Sequence, residues 1–385
     1  MKPIKEIQYF EKLLETPEND LVKQAVAAGR HAIGYNCFSV PEPLLEVGPF
    51  FGVRMRAPQV ASTEDANYYL GAYLCSYSRS ILQAMLEGQY RFLDGMVFTV
   101  SCVHIARAGQ HEGILGLDKQ KDPFVYHVIE MPRKEFEPST EEAVARIRRV
   151  ADDMAEKFDA DMSDGALCAA IAKHNEFTRL LKEISDFRLL DNPPITGTEW
   201  HTVYVATKTA PHDLLVEPLQ NLKAALESRK PDRAVQPRVM VMGSTLDNPA
   251  FTKLIEDQGC RVVADRYCFG SLPGMEQIPE EGDPYENLIR HYLATTECPR
   301  MMEQSEGRFD YAAKLLHDYR ANGVIFETMK FCDLWGYEAV LNLRRIKEAG
   351  VPVVRIEREY QLTGEGQFAT RVQAFVESLA AKGLY

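Results

Sequence analysis

Residues 238–250 read RVMVMGSTLDNPA. A short apolar run, Arg238–Met242, passes through a Gly243–Ser244–Thr245 turn to Asn248–Pro249, residue types that open a helix. A strand that turns directly into a helix is the repeating unit of a parallel α/β sheet. The unit recurs downstream, where Arg261–Ala264, Gly323–Thr328 and Pro352–Ile356 read as strands with helices between them and after Thr370. Upstream, Ala32–Asn36, Gly52–Met55, Met96–Ser101 and Phe124–Glu130 form a second set, with a long helical stretch at Thr63–Glu87. The expected fold is α/β, with two doubly wound, Rossmann-like (flavodoxin-like) domains.

Between the two sets lies a charged helical region, 139–230. Ser139 with Glu142 reads as a capping box, and Val144, Ile147, Val150 and Met154 follow at helical spacing. A second helix runs from Asp164 to about Ser185 and is ended by Asp191–Pro194. This region is expected to form a helical layer on the first domain, and the opening residues an amphipathic surface helix. Arg229–Pro237, charged and proline-containing, is the best linker, which places the domains at 1–235 and 236–385.

Composition narrows the function classes. A chain of 385 residues exceeds one ordinary core. Its net charge of −12 argues against the basic stripe that a nucleic acid backbone requires. Charges interrupt the first twenty residues too often for a signal peptide, and no apolar run reaches membrane-spanning length. A cytoplasmic protein with neither nucleic acid nor membrane as partner is expected.

Eight cysteines are present. In a reducing compartment they are thiols, ligands or nucleophiles before they are disulfides. Ligands of doubly wound folds sit beyond the carboxyl ends of the strands. Cys102 directly follows Met96–Ser101, and Cys332 lies four residues past Thr328. Cys75 falls inside the helical stretch Thr63–Glu87. Three cysteines from distant segments can hold a cubane iron–sulfur cluster and leave one iron open as a Lewis acid. Without a compact C-x-x-C, spacing alone leaves ordinary buried thiols as the alternative. Cys168 reads as core packing and Cys260 as structural. Cys37 and Cys268 follow strands and Cys298 is a helix-end thiol, each of low weight as a ligand. His104, two residues past Cys102, is a candidate proton carrier or a loop histidine.

Gly364–Ala369 matches G-x-G-x-x-A, but no second strand or ribose-binding acid follows it. A dinucleotide is therefore not expected, and the glycines serve a close backbone approach to substrate or partner. No G-x-x-x-x-G-K-[ST] occurs, so this chain is not expected to hydrolyse ATP.

Several segments together resemble one superfamily. Met329–Lys330–Phe331–Cys332–Asp333 after a strand, Cys75–Ser76, and Cys102 within Val100–His104 resemble the three cluster-ligand motifs of 2-hydroxyacyl-CoA dehydratase and ATP-dependent benzoyl-CoA reductase catalytic subunits. Ile33–Gly34 with Pro41–Glu42, and Leu246–Pro249, resemble further family segments. Arg355–Tyr360, Gly364–Gln367 and Arg371–Phe375 look closer to the reductases, as does Cys102–Val103–His104, in which Val103 departs from the reductase Cys-Asp-His.

The resemblance implies a [4Fe–4S] cluster, or a linked double cubane, on Cys75, Cys102 and Cys332, with His104 as proton source. It implies a pseudo-symmetric heterodimer with a related catalytic subunit, and a separate ATP-hydrolysing iron–sulfur electron donor. The implied reaction is reduction of an aromatic acyl-CoA to a dienoyl-CoA by low-potential one-electron steps. The alternatives are dehydration of a 2-hydroxyacyl-CoA through a ketyl radical, or a non-catalytic subunit that relays electrons or stabilises its partner.

Overall fold

The computed structural model describes residues 1–116, 121–231, 234–271, 275–294 and 298–383. Among these residues eight strands form two four-stranded parallel sheets. The first contains β1 His31–Tyr35, β2 Phe50–Arg54, β3 Gly95–Thr99 and β4 Val125–Ile129, in the order β2-β1-β3-β4. The second contains β5 Arg238–Gly243, β6 Arg261–Tyr267, β7 Gly323–Met329 and β8 Val353–Arg358, in the equivalent order β6-β5-β7-β8. Both are doubly wound, as expected. β3 and β7 are buried along their whole length, which suits their apolar runs. Gly243 ends β5 at φ +146°, where a Cβ would collide with the Glu327 carbonyl. The strand-to-turn exit therefore requires glycine.

Fourteen α-helices lie among the described residues. The N-terminal pair is α1 Lys5–Leu13 and α2 Asp20–Ala27, and the first sheet carries α3 Glu64–Tyr69, α4 Ser76–Leu86 and α5 Val103–Leu115. The helical layer is α6 Glu137–Phe158, α7 Asp164–Asp186, α8 Gly197–Thr207 and α9 His212–Ser228. The second sheet carries α10 Pro249–Glu256, α11 Pro284–Leu293, α12 Ser305–Asp318, α13 Asp333–Glu348 and α14 Glu365–Ala381. No helix of the described residues is long and apolar enough to cross a membrane.

Two local readings change. Thr63–Glu87 is not one helix: α3 stops at Tyr69, Leu70 turns extended at φ −111°, ψ 127°, and α4 begins only at Ser76. Leu70 is buried by this turn, and Gly71 weakens helix propagation there. Cys75 thus moves from a helix interior to a helix start. Ser139 is not an N-cap but the third residue of α6, because Pro138 fits the first helical turn and lets the helix begin at Glu137.

The helical layer reaches the second sheet as well as the first. Arg188, in the 3₁₀ turn Phe187–Leu189 after α7, is 2.5 Å from Asp265 of β6, and Trp200 of α8 donates to the same carboxylate at 3.2 Å. All three are buried. Removing one partner of such a buried pair costs about 3–5 kcal/mol. Burial opposes ionisation of Asp265, but the Arg188 guanidinium outweighs it and holds the carboxyl below its usual range. This contribution is present above the ordinary carboxylate pKa and is lost as pH falls through the lowered one. One apolar cluster runs from Ile33 and Val97 of the first sheet to Met240 and Phe326 of the second. We propose the domain boundary at 235/236, where the described residues of 229–237 form neither helix nor strand. Asp232 and Arg233 of that linker lie outside the described residues.

Candidate metal centre

In each sheet the strand order reverses at the two inner parallel strands, and such switch points open a crevice at the carboxyl edge. Cys37 and Cys102 follow β1 and β3 at the first switch point, and Thr245 and Cys332 follow β5 and β7 at the second. All four line one cavity, together with Cys75, Cys268 and Cys298. Its volume is about 80 Å³. Pockets for drug-sized ligands span roughly 300–1,000 Å³. The space is therefore too small for an acyl-CoA.

The three sequence-predicted ligands share a structural position. Cys75 is the N-cap of α4, Cys102 that of α5 and Cys332 that of α13, and in none does the side chain cap the helix. Three helix N-termini therefore meet at the cavity with their thiols free of capping duty. Each end favours negative charge by about 0.3–1 kcal/mol, more when partly buried. Phe331, at φ +61°, supplies the left-handed turn that carries the chain from β7 into Cys332.

Burial opposes ionisation of these thiols. It raises Cys75 against the hydrogen bonds from Ser78 and Tyr77. It lifts Cys102 well above a free thiol, with Cys75 and Cys332 adding to the shift. Cys332 is pushed up to about 12 by burial and by Cys75. Thiols raised in this way stay protonated without a cation, and metal binding releases their protons. The donor chemistry fits a metal cluster.

Cys37, Cys268 and Cys298 form a second set that spacing did not single out. Burial raises Cys268, with Cys298 and Cys37 contributing, and burial raises Cys298 with a further push from Cys37. Cys37 differs. Burial pushes it up, but Arg54, the Ser39 hydrogen bonds and Arg300 together bring it below an ordinary thiol. Arg54 is buried, stacks over Phe269 at 3.8 Å and has no partner for its Nε. A positive charge thus stands ready beside the second set. Cys168 and Cys260 do not line the cavity; Cys260 is a buried thiol 3.3 Å from the Ile255 carbonyl.

His104 lines the cavity in the first turn of α5. Its Nδ1 accepts the Cys75 amide at 3.2 Å, and its Nε2 is 3.3 Å from Asp333 Oδ2. A ring that accepts at Nδ1 carries its proton on Nε2. Burial lowers its pKa, and Asp333 offsets part of that. One imidazole thereby ties together the starts of α4, α5 and α13.

The C-terminal tail serves the same end of α4. Ser76 Oγ donates to Glu359 and accepts the Tyr360 amide, both at 2.8 Å, while Tyr360 Oη donates to Asp247 at 2.5 Å. These residues brace the site from behind. Gly364 caps α14 at φ +69°, and open space surrounds Gly366.

A family model described as 2-hydroxyglutaryl-CoA dehydratase, D-component, matches residues 37–379. The (R)-phenyllactyl-CoA dehydratase beta subunit of Clostridium sporogenes is 24% identical over 370 residues, covering 96% of this chain and 97% of that one. The (R)-2-hydroxyglutaryl-CoA dehydratase beta subunit of Acidaminococcus fermentans is 22% identical over 384 residues, covering 97% and 98%. A benzoyl-CoA reductase subunit of Thauera aromatica is 23% identical over 299 residues, covering 75% of each chain. With its doubly wound halves, its cysteines gathered at one crevice and a family match over nearly its whole length, the chain belongs to the 2-hydroxyglutaryl-CoA dehydratase D-component family, within the superfamily of 2-hydroxyacyl-CoA dehydratases and benzoyl-CoA reductases.

Proposed function

We propose that this chain is the iron–sulfur subunit of an ATP-dependent reductase of the benzoyl-CoA reductase type, working in the cytoplasm of an anaerobe. Cys75, Cys102 and Cys332 hold one [4Fe–4S] unit, and Cys37, Cys268 and Cys298 a second, linked one. The observation that carries this reading is the single narrow cavity lined by six thiols in two sets. Bound there, such clusters supply single electrons at low potential. Ring reduction consumes two electrons per product, whereas dehydration uses one and recovers it, so a two-unit centre matches net reduction.

The residues of the chain have definable tasks. The N-termini of α4, α5 and α13 offset the negative charge of the first three thiolates, and Arg54 and Arg300 do so for the second set. Ile105, Met329, Leu334 and Trp335 keep water from the crevice. His104 holds the Cys75 backbone through Nδ1 and offers the Nε2 proton. Because the cavity is too small for an acyl thioester, substrate meets the centre at its rim, against a related partner subunit. Exposed Tyr73, Phe331 and Tyr337, beside Cys75 and Cys332 in sequence, support that contact. Electrons come from a separate ATP-hydrolysing iron–sulfur protein.

A second reading, dehydration of a 2-hydroxyacyl-CoA, is favoured by the near full-length likeness to two dehydratase beta subunits. Anaerobic turnover of benzoyl-CoA and of a 2-hydroxyacyl-CoA by the reconstituted complex separates the two. Electron uptake with neither substrate consumed would leave an electron-relay subunit. His104→Ala is expected to slow turnover by about 10² or more with iron content intact. Parallel loss of iron would assign His104 to holding Cys75 alone, and an unchanged rate would remove it from the chemistry.

A further inference from the structure

Outside the cysteine cavity, three side chains from three elements converge. Glu46 ends the 3₁₀ turn Glu42–Glu46 that follows β1, His174 lies in the middle of α7, and His212 opens α9. One donor atom from each lies within 4.8 Å of the other two. Two imidazoles and a carboxylate are a donor set for zinc or ferrous iron that leaves coordination positions open.

Hydrogen bonding does not account for this cluster. Glu46 Oε1 is 2.6 Å from His212 Nδ1, yet that buried nitrogen makes no hydrogen bond. Nδ1 of His174 is likewise buried and without a hydrogen-bond partner. Buried polar atoms nearly always have partners, and here the His174 nitrogen has none while the His212 nitrogen has only the Glu46 carboxylate, in a contact that is not a hydrogen bond. An ion pair between a protonated His212 and Glu46 would still leave the His174 nitrogen unsatisfied.

Neighbouring groups leave the three donors available to an ion. Glu42 does not compete for the site, being occupied by Lys208 and by the Tyr35 hydroxyl, each at 2.7 Å. The His212 ring is fixed by stacking on Phe177, with centroids 4.0 Å apart and planes 8° apart. Glu46 and His212 also border a cavity of about 520 Å³, which gives an ion a route in and leaves room for water in an open position.

We propose that Glu46, His174 and His212 bind one divalent cation of the zinc class, independent of the cysteine centre, and so clamp α7 and α9 to the turn after β1. The test uses the full-length, iron-loaded protein, chelated briefly and then given Zn²⁺. Zinc and iron per chain are measured with the melting temperature. One zinc per chain and a zinc-dependent rise in melting temperature are expected. Glu46→Gln and His174→Ala should weaken zinc binding by at least the 10–100-fold that loss of an outer-sphere partner costs, with iron unchanged. Glu46→Gln preserves size at a half-buried position, so it remains informative should His174→Ala fold poorly. No zinc uptake by the parent protein would overturn the proposal. So would zinc that survives both changes and disappears in Cys332→Ser, since it would then sit on cysteine.

Discussion

Cys332→Ser is expected to lose most of the protein's iron together with its visible absorption, and Cys75→Ser and Cys102→Ser to do the same. Serine is a suitable probe because all three positions are helix N-caps. A hydroxyl there caps a helix at least as well as a thiol and typically adds about 1 kcal/mol over a non-capping residue. The fold should therefore survive while the soft ligand is removed, and iron loss cannot be ascribed to unfolding. Cys298→Ser should remove about half the iron if each set of three holds one [4Fe–4S] unit. Cys168→Ser, on α7 and away from the cavity, should change nothing. Iron is measured per chain beside the far-ultraviolet spectrum of each variant. Full iron content in Cys332→Ser would defeat the ligand assignment, and full content in Cys298→Ser would defeat the second unit.

Continuous ATP consumption during turnover is the second large expected effect. Adding one electron to an aromatic ring is very unfavourable, and the electrons leave with the product. Each product therefore draws fresh electrons from the ATP-hydrolysing donor. In dehydration the electron returns at the end of every cycle, and one activation serves many turnovers. The complex, assayed anaerobically with benzoyl-CoA, should form a dienoyl-CoA at a fixed ratio of ATP to product and should stop when ATP is removed. Enoyl-CoA formation from a 2-hydroxyacyl-CoA that continues after ATP is exhausted would make the dehydratase reading correct.

The sheets were legible in the sequence because most of their strands, β3 and β7 above all, are buried and read as apolar runs bounded by glycine and polar turns. Each of the eight is found where expected, with ends shifted by at most three residues. The break between α3 and α4 was not legible. Its residues keep a helical composition through Tyr69, and the turn is set by the burial of Leu70 and the bonds of Ser76 to the distant C-terminal tail. Cys102 and Cys332 could be picked out because a strand end is a sequence feature. The second set could not. Cys37 and Cys268 also follow strands, but no local pattern encodes the packing that brings them to Cys298. Glu46, His174 and His212 come from three elements and match no spacing motif such as H-E-x-x-H. The Glu359–Tyr360 tail reads in sequence as a substrate signature. Its side chains instead bond to Ser76 and Asp247, a role that only tertiary structure reveals.

Iron and acid-labile sulfide per chain, measured on protein purified under strict anaerobiosis, test the six-thiol centre most directly. Two linked [4Fe–4S] units predict about eight irons per chain with a matching amount of sulfide. About four irons, unaffected by Cys298→Ser, would contradict the second unit. A folded protein that binds no iron under these conditions would contradict the metal centre altogether.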